Sequence, residues 1–115
     1  MPGPAERERV AFTPVAVRQL DQLHAYVSLR AGEAIADGYA DRIIAFCRRL
    51  RLTPFRGTKR DYLLPGLRSI GFERRVTIVY TVTDDAVMIE GIFYGGRNYE
   101  RFFQRRRRRV RSPRA

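Results

Sequence analysis

The spacing of apolar residues changes once along this 115-residue chain, and that change limits the folds open to it. Between residues 13 and 53 apolar residues recur every three or four positions, which is the period of a helix with one buried face. Between residues 74 and 94 they alternate with other residues and include many β-branched side chains, which is typical of strands. Helices and strands segregated in this way favour the α+β class.

Two helices are predicted in the first half of the chain. Thr13-Pro14 indicates an N-cap followed by proline in the first turn, Gly32 breaks the pattern, and Thr53-Pro54 ends it. One face of the first helix carries Ala16, Leu20, Leu23 and Val27, and one face of the second carries Ala36, Ala40, Ile43, Cys47 and Leu50, widened by Ile44 and Phe46. The short connection at Gly32 predicts a helical hairpin.

Four strands are predicted around this hairpin, at residues 7–12, 67–72, 74–83 and 87–94. Asp84-Asp85 supplies the turn between the last two, and the polar, basic stretch from residue 55 to residue 66 is predicted to be a loop. The order β-α-α-β-β-β predicts an α+β domain in which a helical hairpin packs on one face of a small antiparallel β-sheet.

The chain is predicted to form one domain. Residues 1–6 contain two prolines and a glycine and are expected to be a disordered leader, and residues 7–103 are expected to be the domain. Residues 104–115 hold seven arginines, one valine and no acid, so they can bury little apolar area and are predicted to be a disordered tail.

The charge is strongly positive, at +11, and the basic residues are 22 Arg and a single Lys. The tail from residue 104 carries seven of these net charges. Such an excess favours an anionic partner, either nucleic acid or an acidic protein. Codon bias in a GC-rich genome would also favour Arg over Lys, so both interpretations of the Arg content of the domain stay open.

The rare residue types exclude several kinds of site. Cys47 is the only cysteine and His24 the only histidine, so an internal disulfide and zinc sites built from cysteine and histidine are excluded. No phosphate-binding glycine motif is present, and no metal or cofactor is expected. Because no apolar run approaches the roughly 18 residues of a membrane span, and the first ten residues lack a signal-peptide run, the predicted compartment is the cytoplasm.

A set of short motifs resembles the RelE/ParE superfamily, the toxins of bacterial type II toxin-antitoxin modules. The motifs are Phe12-Thr13-Pro14, the second helical stripe from Ala40 to Leu50, Leu50 with Pro54 and Gly57, Gly66-Leu67-Arg68, the strand from Arg74 to Tyr80, Asp84-Asp85, and the segment from Ile92 to Asn98. They occur in the family's order between Val10 and Tyr99. The resemblance implies the fold predicted above and a cognate antitoxin that forms a hetero-oligomer with the toxin.

The ParE-like branch, whose members poison DNA gyrase, is favoured over the RelE-like branch. The long amphipathic helix pair and the Thr-Val-Thr-Asp-Asp hairpin support this, as does Tyr94 at the strand end where some ribonuclease relatives have histidine. The candidate residues for binding the target are Arg68, Arg97, Tyr99, Phe102 and Phe103. The candidates for binding the antitoxin are the apolar helix residues Leu20, Val27 and Ile44.

Two other functions stay open. The first is a ribosome-dependent endoribonuclease that cuts mRNA, with Arg68, Arg74 and Arg97 holding phosphates and Tyr94 or Tyr99 transferring a proton. The second is a non-enzymatic nucleic-acid-binding module that binds through the arginine tail.

Four further residues or pairs are assigned structural roles. His24 is expected on the face of the first helix, Cys47 as a buried apolar residue, Glu90 in a cross-strand charge pair and Asp84-Asp85 in a turn. Arg74 and Arg75 are expected to alternate along a strand, with one of them solvated.

Overall fold

Two α-helices form the first half of the fold, in a computed structural model that describes residues 6–96 and 98–111. Helix α1 (Pro14–Ala31) begins after Thr13, whose side-chain oxygen accepts a 3.2 Å hydrogen bond from the amide of Ala16. Gly32 reverses the chain with a φ of 95°, a conformation that suits glycine, and helix α2 (Glu33–Arg49) follows at once. The predicted helical hairpin is confirmed.

Five strands form one sheet in the order β1-β5-β4-β3-β2. Their bounds are Arg9–Phe12 for β1, Thr58–Lys59 for β2, Arg68–Phe72 for β3, Val76–Val82 for β4 and Ala86–Tyr94 for β5. The four strands after the hairpin pair antiparallel, whereas β1 lies parallel to β5. The α+β fold is thus as predicted, apart from this parallel pair and the two-residue β2, which is too short to produce a periodic pattern.

A third helix, α3 (Tyr99–Arg111), differs from the expected tail. The predicted boundary at Gln104 falls inside this helix rather than at the start of a disordered segment. Tyr99, Phe102 and Phe103 lie three and four residues apart, so they share one face and dock the helix on the domain. The Asn98 side chain accepts a 3.1 Å hydrogen bond from the amide of Arg101 in the first turn.

The sheet has a hydrophobic cluster on each face. The cluster on the helix face joins the apolar stripes of α1 and α2 to alternate residues of the sheet, among them Val76, Ile78, Tyr80, Val87, Ile89 and Ile92. The cluster on the opposite face contains Leu63, Leu67, Val79, Phe93 and Phe103. Because side chains alternate along a strand, neighbouring residues of β4 and β5 face different clusters. The loop before β3 and helix α3 therefore cover the face that the hairpin leaves open.

The turn between β3 and β4 contains Arg74, which was expected in a strand. Glu73 and Arg74 have φ values of 46° and 67°, in the left-handed region that non-glycine residues rarely adopt. Arg42 donates two hydrogen bonds of 2.9 and 3.0 Å to the Glu73 carboxylate, which ties the turn to α2 and lowers the pKa of that carboxyl group. Arg74 and Arg75 are both exposed, so the expected alternation in a strand is wrong.

Replacing Arg74 with Gly should stabilise the fold by about 0.5–1 kcal/mol. Glycine relieves the strain of the left-handed conformation, and this gain exceeds the loss that arises because glycine raises the conformational entropy of the unfolded chain. Glu73→Gly is the matched control. It relieves the same type of strain but removes the carboxylate that Arg42 holds, so it should gain less or lose stability. Urea denaturation of the two variants measures the difference, and equal gains would contradict the assigned role of Glu73.

Two expectations concern the ends of the chain and its relation to membranes. Residues 1–5 of the predicted leader and residues 112–115 of the predicted tail lie outside the described residues. Among the helices that are described, none combines the length and apolar character needed to cross a membrane.

Candidate functional site

Arg68, at the start of β3, holds a loop of its own chain. Its Nη1 donates hydrogen bonds to the backbone oxygens of Phe55 and Gly57, at 3.0 and 2.9 Å, and its guanidinium lies 5.1 Å from the centre of the Phe55 ring. The amide of Gly57 in turn donates a 2.9 Å hydrogen bond to the Tyr80 hydroxyl, whose pKa is raised by burial. Arg68 therefore supports the loop before β2.

Tyr94, at the end of β5, lies in a cluster of tyrosines on the helix face of the sheet. Its ring centre is 5.5 Å from that of Tyr26 and 6.2 Å from that of Tyr39. Burial is the main cause that raises the pKa of Tyr39. Tyr94 also lines an open cleft of about 430 Å³, here called the aromatic cleft. Its lining residues are Gln19, Gln22, Leu23, Tyr26, Arg75, Ile92, Tyr94, Gly95 and Gly96.

Tyr99, at the start of α3, lies on the opposite face of the sheet. Its ring centre is 6.1 Å from that of Phe93, and the ring belongs to the cluster beneath α3. Tyr99 also lines a shallow cleft of about 280 Å³, here called the basic groove, together with Arg56, Gly57, Thr58, Arg60, Ser69, Ile70, Gly71 and Thr77. In this groove Arg60 donates a 2.9 Å hydrogen bond to the Ser69 hydroxyl. The groove thus joins an aromatic side chain to two arginines.

The described candidates for the ribonuclease function do not come together. Tyr94 and Tyr99 lie on opposite faces of the sheet. In the register of the sheet, Arg68 lies opposite Tyr80, whereas Tyr94 is level with Phe72. Phe72 is four residues further along β3 than Arg68, so Arg68 and Tyr94 are about 13 Å apart in the strand direction. Arg74 is exposed in the turn. Arg97 lies outside the described residues.

Two of the target-binding candidates differ in accessibility. Phe102 is partly buried and contacts Phe93 edge to face. Phe103 is only 1% exposed, with Leu63, Leu67, Val79 and Phe93 in the same buried cluster. The expectation that Phe103 contacts the target is therefore corrected, because a partner could reach its ring only if α3 moved away from the sheet. The sequence pattern does not distinguish these neighbours because both lie on the apolar face of the helix.

The antitoxin-binding candidates face inward. Val27 is 8% exposed and Leu20 packs against the same cluster, while Ile44 is half-buried. The apolar stripes used to choose them are the faces that bury against the sheet. The large apolar side chains exposed on the hairpin are Val17, Tyr26, Leu29 and Ile35, of which Leu29 is 90% exposed. Val27 is therefore buried in this structure, and its role as an antitoxin contact stays a prediction.

Other residues occupy structural positions. His24 Nε2 lies 2.6 Å from Asp37 Oδ1, and this contact joins α1 to α2. Cys47 is buried, and burial raises the pKa of its thiol to about 12. Glu90 accepts a 2.9 Å hydrogen bond from Thr81 across the strands, but its cationic neighbour is Arg106 of α3, at 3.7 Å. Asp85 lies in the turn and pairs with Arg9 at 3.6 Å. No cluster of potential metal ligands occurs among the described residues.

A third cleft, between α1 and α3, was not predicted from the sequence. It has a volume of about 780 Å³ and is here called the arginine cleft. Its lining residues are Val15, Arg18, Gln19, Phe93, Asn98, Arg101, Phe102, Arg105 and Arg106. The spacing of Arg101 and Arg105 on one helical face would have indicated part of it, had residues 104–111 been predicted as helix. Arg18 comes from the other end of the chain and could be added only by the fold.

Comparison with known proteins agrees with this architecture. Residues 10–99 match the sequence model of the family described as ParE toxin of type II toxin-antitoxin system, parDE. Among solved structures, a chain of the chromosomal ParDE TA system from P. aeruginosa is similar in fold, with a TM-score of 0.67 and 19% sequence identity. The similarity covers 81% of this chain and 99% of that one. No curated protein sequence matches. Because the family model spans most of the chain, the protein belongs to the ParE toxin family of type II toxin-antitoxin systems.

Proposed function

We propose that this ParE-family toxin inhibits DNA gyrase by binding it, and that a cognate antitoxin neutralises the toxin by forming a complex with it. The observation that carries the choice of gyrase over mRNA is the position of Arg68, which is hydrogen-bonded to its own loop and lies about 13 Å from Tyr94 in the strand direction. Family membership supports the toxin role and the antitoxin partner.

Cleavage of RNA requires more than a basic surface. A group that transfers a proton has to lie beside the cations that stabilise the charge developing on phosphate. Here Arg68 is hydrogen-bonded to its own loop, and Tyr94 is packed against two tyrosines. Tyr99 lines the basic groove with Arg56 and Arg60, which are not among the candidates for holding phosphate. Inhibition by binding requires only a complementary surface, and this arrangement supports it.

The basic groove is the surface that we assign to the target. Aromatic and arginine side chains are enriched among residues that dominate binding energy at protein interfaces. Arg56, Arg60 and Tyr99 line this groove, and Tyr99 was among the target-binding candidates in the sequence. Phe102, on the same helix face as Tyr99, lines the arginine cleft and stays a candidate for a target contact there. Arg68 contributes indirectly, by holding the loop that carries Gly57 on the groove wall.

The test incubates the purified protein with gyrase and supercoiled DNA, and separately with translating ribosomes. We expect loss of gyrase activity in the first and intact mRNA in the second. Arg56→Ala with Arg60→Ala should weaken gyrase inhibition about 10-fold, because two cations leave the interface. Arg48→Ala with Arg49→Ala, at the exposed end of α2, removes the same charge elsewhere and should leave inhibition unchanged.

Tyr94→Phe and Tyr99→Phe separate the two functions, because each keeps its ring and loses only its hydroxyl. Both variants should inhibit gyrase as the parent chain does. If the parent chain cleaves mRNA, either substitution abolishes that cleavage, and gyrase stays fully active, the protein is a ribonuclease instead. Binding to any nucleic acid without effect on gyrase or on mRNA would favour the non-enzymatic module.

A further inference from the structure

Three guanidinium groups of the arginine cleft have no hydrogen bond or ion pair within the part of the chain that the structure describes. They belong to Arg18 on α1 and to Arg101 and Arg105 on α3. Arg106, which also lines the cleft, is paired with Glu90 at 3.7 Å. Because Arg101 and Arg105 are four residues apart, they lie on one face of α3, about 6 Å apart along its axis. The cleft thus brings together unpaired cations from two distant parts of the chain.

The carboxamide side chains of the cleft add further hydrogen-bond donors. The side-chain oxygen of Gln19 accepts a 2.7 Å hydrogen bond from the amide of Ile92, and that of Asn98 accepts a 3.1 Å hydrogen bond from the amide of Arg101. Each oxygen is therefore engaged, which leaves the NH2 group of each carboxamide available to a ligand. None of the described residues that line the cleft is acidic. This set of donors suits an anionic ligand that only accepts hydrogen bonds.

The cations of the cleft repel one another when no anion lies between them. Like charges four residues apart destabilise a helix, as Arg101 and Arg105 do here, and Arg18 places a third positive charge across the cleft. An anion bound among the three would remove this repulsion and form charge-assisted hydrogen bonds. The arrangement therefore favours a ligand with negative charge over an empty cleft.

The positive charge of α3 extends beyond the cleft. Residues 105–111 contain six arginines and no acid, over about 10 Å of helix. Duplex DNA carries one charge per about 1.7 Å of its axis, whereas the side chains on one face of an acidic strand are about 6.6 Å apart. The dense charge of α3 therefore favours duplex DNA over an acidic protein segment.

The aromatic rings of the cleft are already packed. Phe93 is 5% exposed, and Phe102 packs edge to face against both Phe93 and Phe103. Proteins bind unpaired bases largely by stacking them on open aromatic faces. Little ring area is open for stacking here, so contact with the backbone of a duplex is favoured over binding of a single strand.

We propose that the arginine cleft binds the phosphate backbone of duplex DNA, with Arg18, Arg101 and Arg105 as the phosphate contacts and the NH2 groups of Gln19 and Asn98 as further donors. Binding is independent of sequence, because phosphate contacts carry no information about the bases. The proposal does not rest on gyrase as the target. It gives the toxin a DNA-binding surface in addition to the basic groove.

The experiment titrates a fluorescently labelled duplex of about 20 base pairs with the full chain and measures fluorescence anisotropy at several salt concentrations. Two duplexes of unrelated sequence should bind equally, and binding should weaken as salt is added. Arg101→Ala with Arg105→Ala should weaken binding about 10-fold and reduce the slope of log K against log salt by about 1.8, since two phosphate contacts are lost. Arg48→Ala with Arg49→Ala removes the same charge from the exposed end of α2 and should leave both quantities nearly unchanged.

Arg18→Ala separates the cleft from the rest of α3, because Arg18 lies on α1 and is remote in sequence from the arginines of the last helix. It should weaken duplex binding about 3-fold and reduce the salt slope by about 0.9. Arg48→Ala, also at an exposed position, is the matched control. In the isotopically labelled full chain, the side-chain NH2 resonances of Gln19 and Asn98 should shift when the duplex is added.

Equal duplex binding by Arg18→Ala and Arg48→Ala would overturn the proposal, and so would unchanged NH2 resonances of Gln19 and Asn98. Single-stranded DNA and a polyglutamate peptide are compared with the duplex at equal concentrations of anionic groups. Tighter binding of either would overturn the choice of duplex DNA and assign the cleft to an unpaired strand or to an acidic protein. These measurements contain no gyrase, so failure of the cleft and failure of the proposed function are distinguishable.

Discussion

Phe103→Ala is expected to destabilise the fold by about 3–5 kcal/mol, the usual cost of truncating a fully buried phenylalanine. Phe103 is 1% exposed, and its ring centre lies 5.1 Å from that of Phe102 and 6.3 Å from that of Phe93. Beyond Phe103 the helix is rich in arginine, so only the partly buried Tyr99 and Phe102 would still hold it against the sheet. Guanidinium denaturation measures the loss.

Truncation of the chain before Gln104 is the matched control. It removes most of α3 but keeps Phe103, and the main described contact it deletes is the Arg106–Glu90 ion pair at 3.7 Å. Arg106 is half-exposed and Glu90 keeps its hydrogen bond from Thr81, so loss of this partly buried pair should cost only about 1 kcal/mol. The truncated chain should therefore be much more stable than Phe103→Ala, and a reversed order would contradict the assignment of α3 docking to Phe103.

The helices and central strands could be predicted because each follows a simple hydrophobic period. The stripe of α1 and α2, and the alternation of Val76, Ile78 and Tyr80 in β4, correspond to the cluster on the helix face. Helix α3 could not be predicted in the same way, because its arginines outweigh the short apolar face formed by Tyr99, Phe102 and Phe103. Its helical structure depends on docking against Phe93, a tertiary contact.

The candidate site was harder to predict because it depends on which face of the sheet each residue occupies. Tyr94 and Tyr99 are five residues apart, but the chain turns at Gly95-Gly96 and carries Tyr99 to the other face. The aromatic and arginine clefts combine α1 with residues from the end of β5 and from α3. Strand β1 pairs with only the first four residues of β5, and no local pattern encodes where that pairing stops.

Gly57→Ala is the second substitution expected to have a large effect, a loss of about 2–4 kcal/mol. A Cβ at this position would lie 2.8 Å from the Tyr80 hydroxyl oxygen and 2.9 Å from the backbone oxygen of Ser69. Tyr80 is 0% exposed and Ser69 belongs to β3, so relief would require movement of a buried ring or of the sheet. Overpacking costs about 1–3 kcal/mol, and loss of the Gly57–Tyr80 hydrogen bond adds about 1 kcal/mol.

Two further variants isolate the cause. Gly71→Ala, on β3, places a Cβ where no other atom lies within 4 Å, so stability should change by less than about 0.5 kcal/mol. Tyr80→Phe removes the hydroxyl, which eliminates both the acceptor and the closest contact. If the clash dominates, Gly57→Ala should cost less in the Tyr80→Phe background than in the parent chain, as measured by a double-mutant cycle. Equal costs in the two backgrounds would assign the effect to the backbone of β3, and hence to the approach of the loop that Arg68 holds.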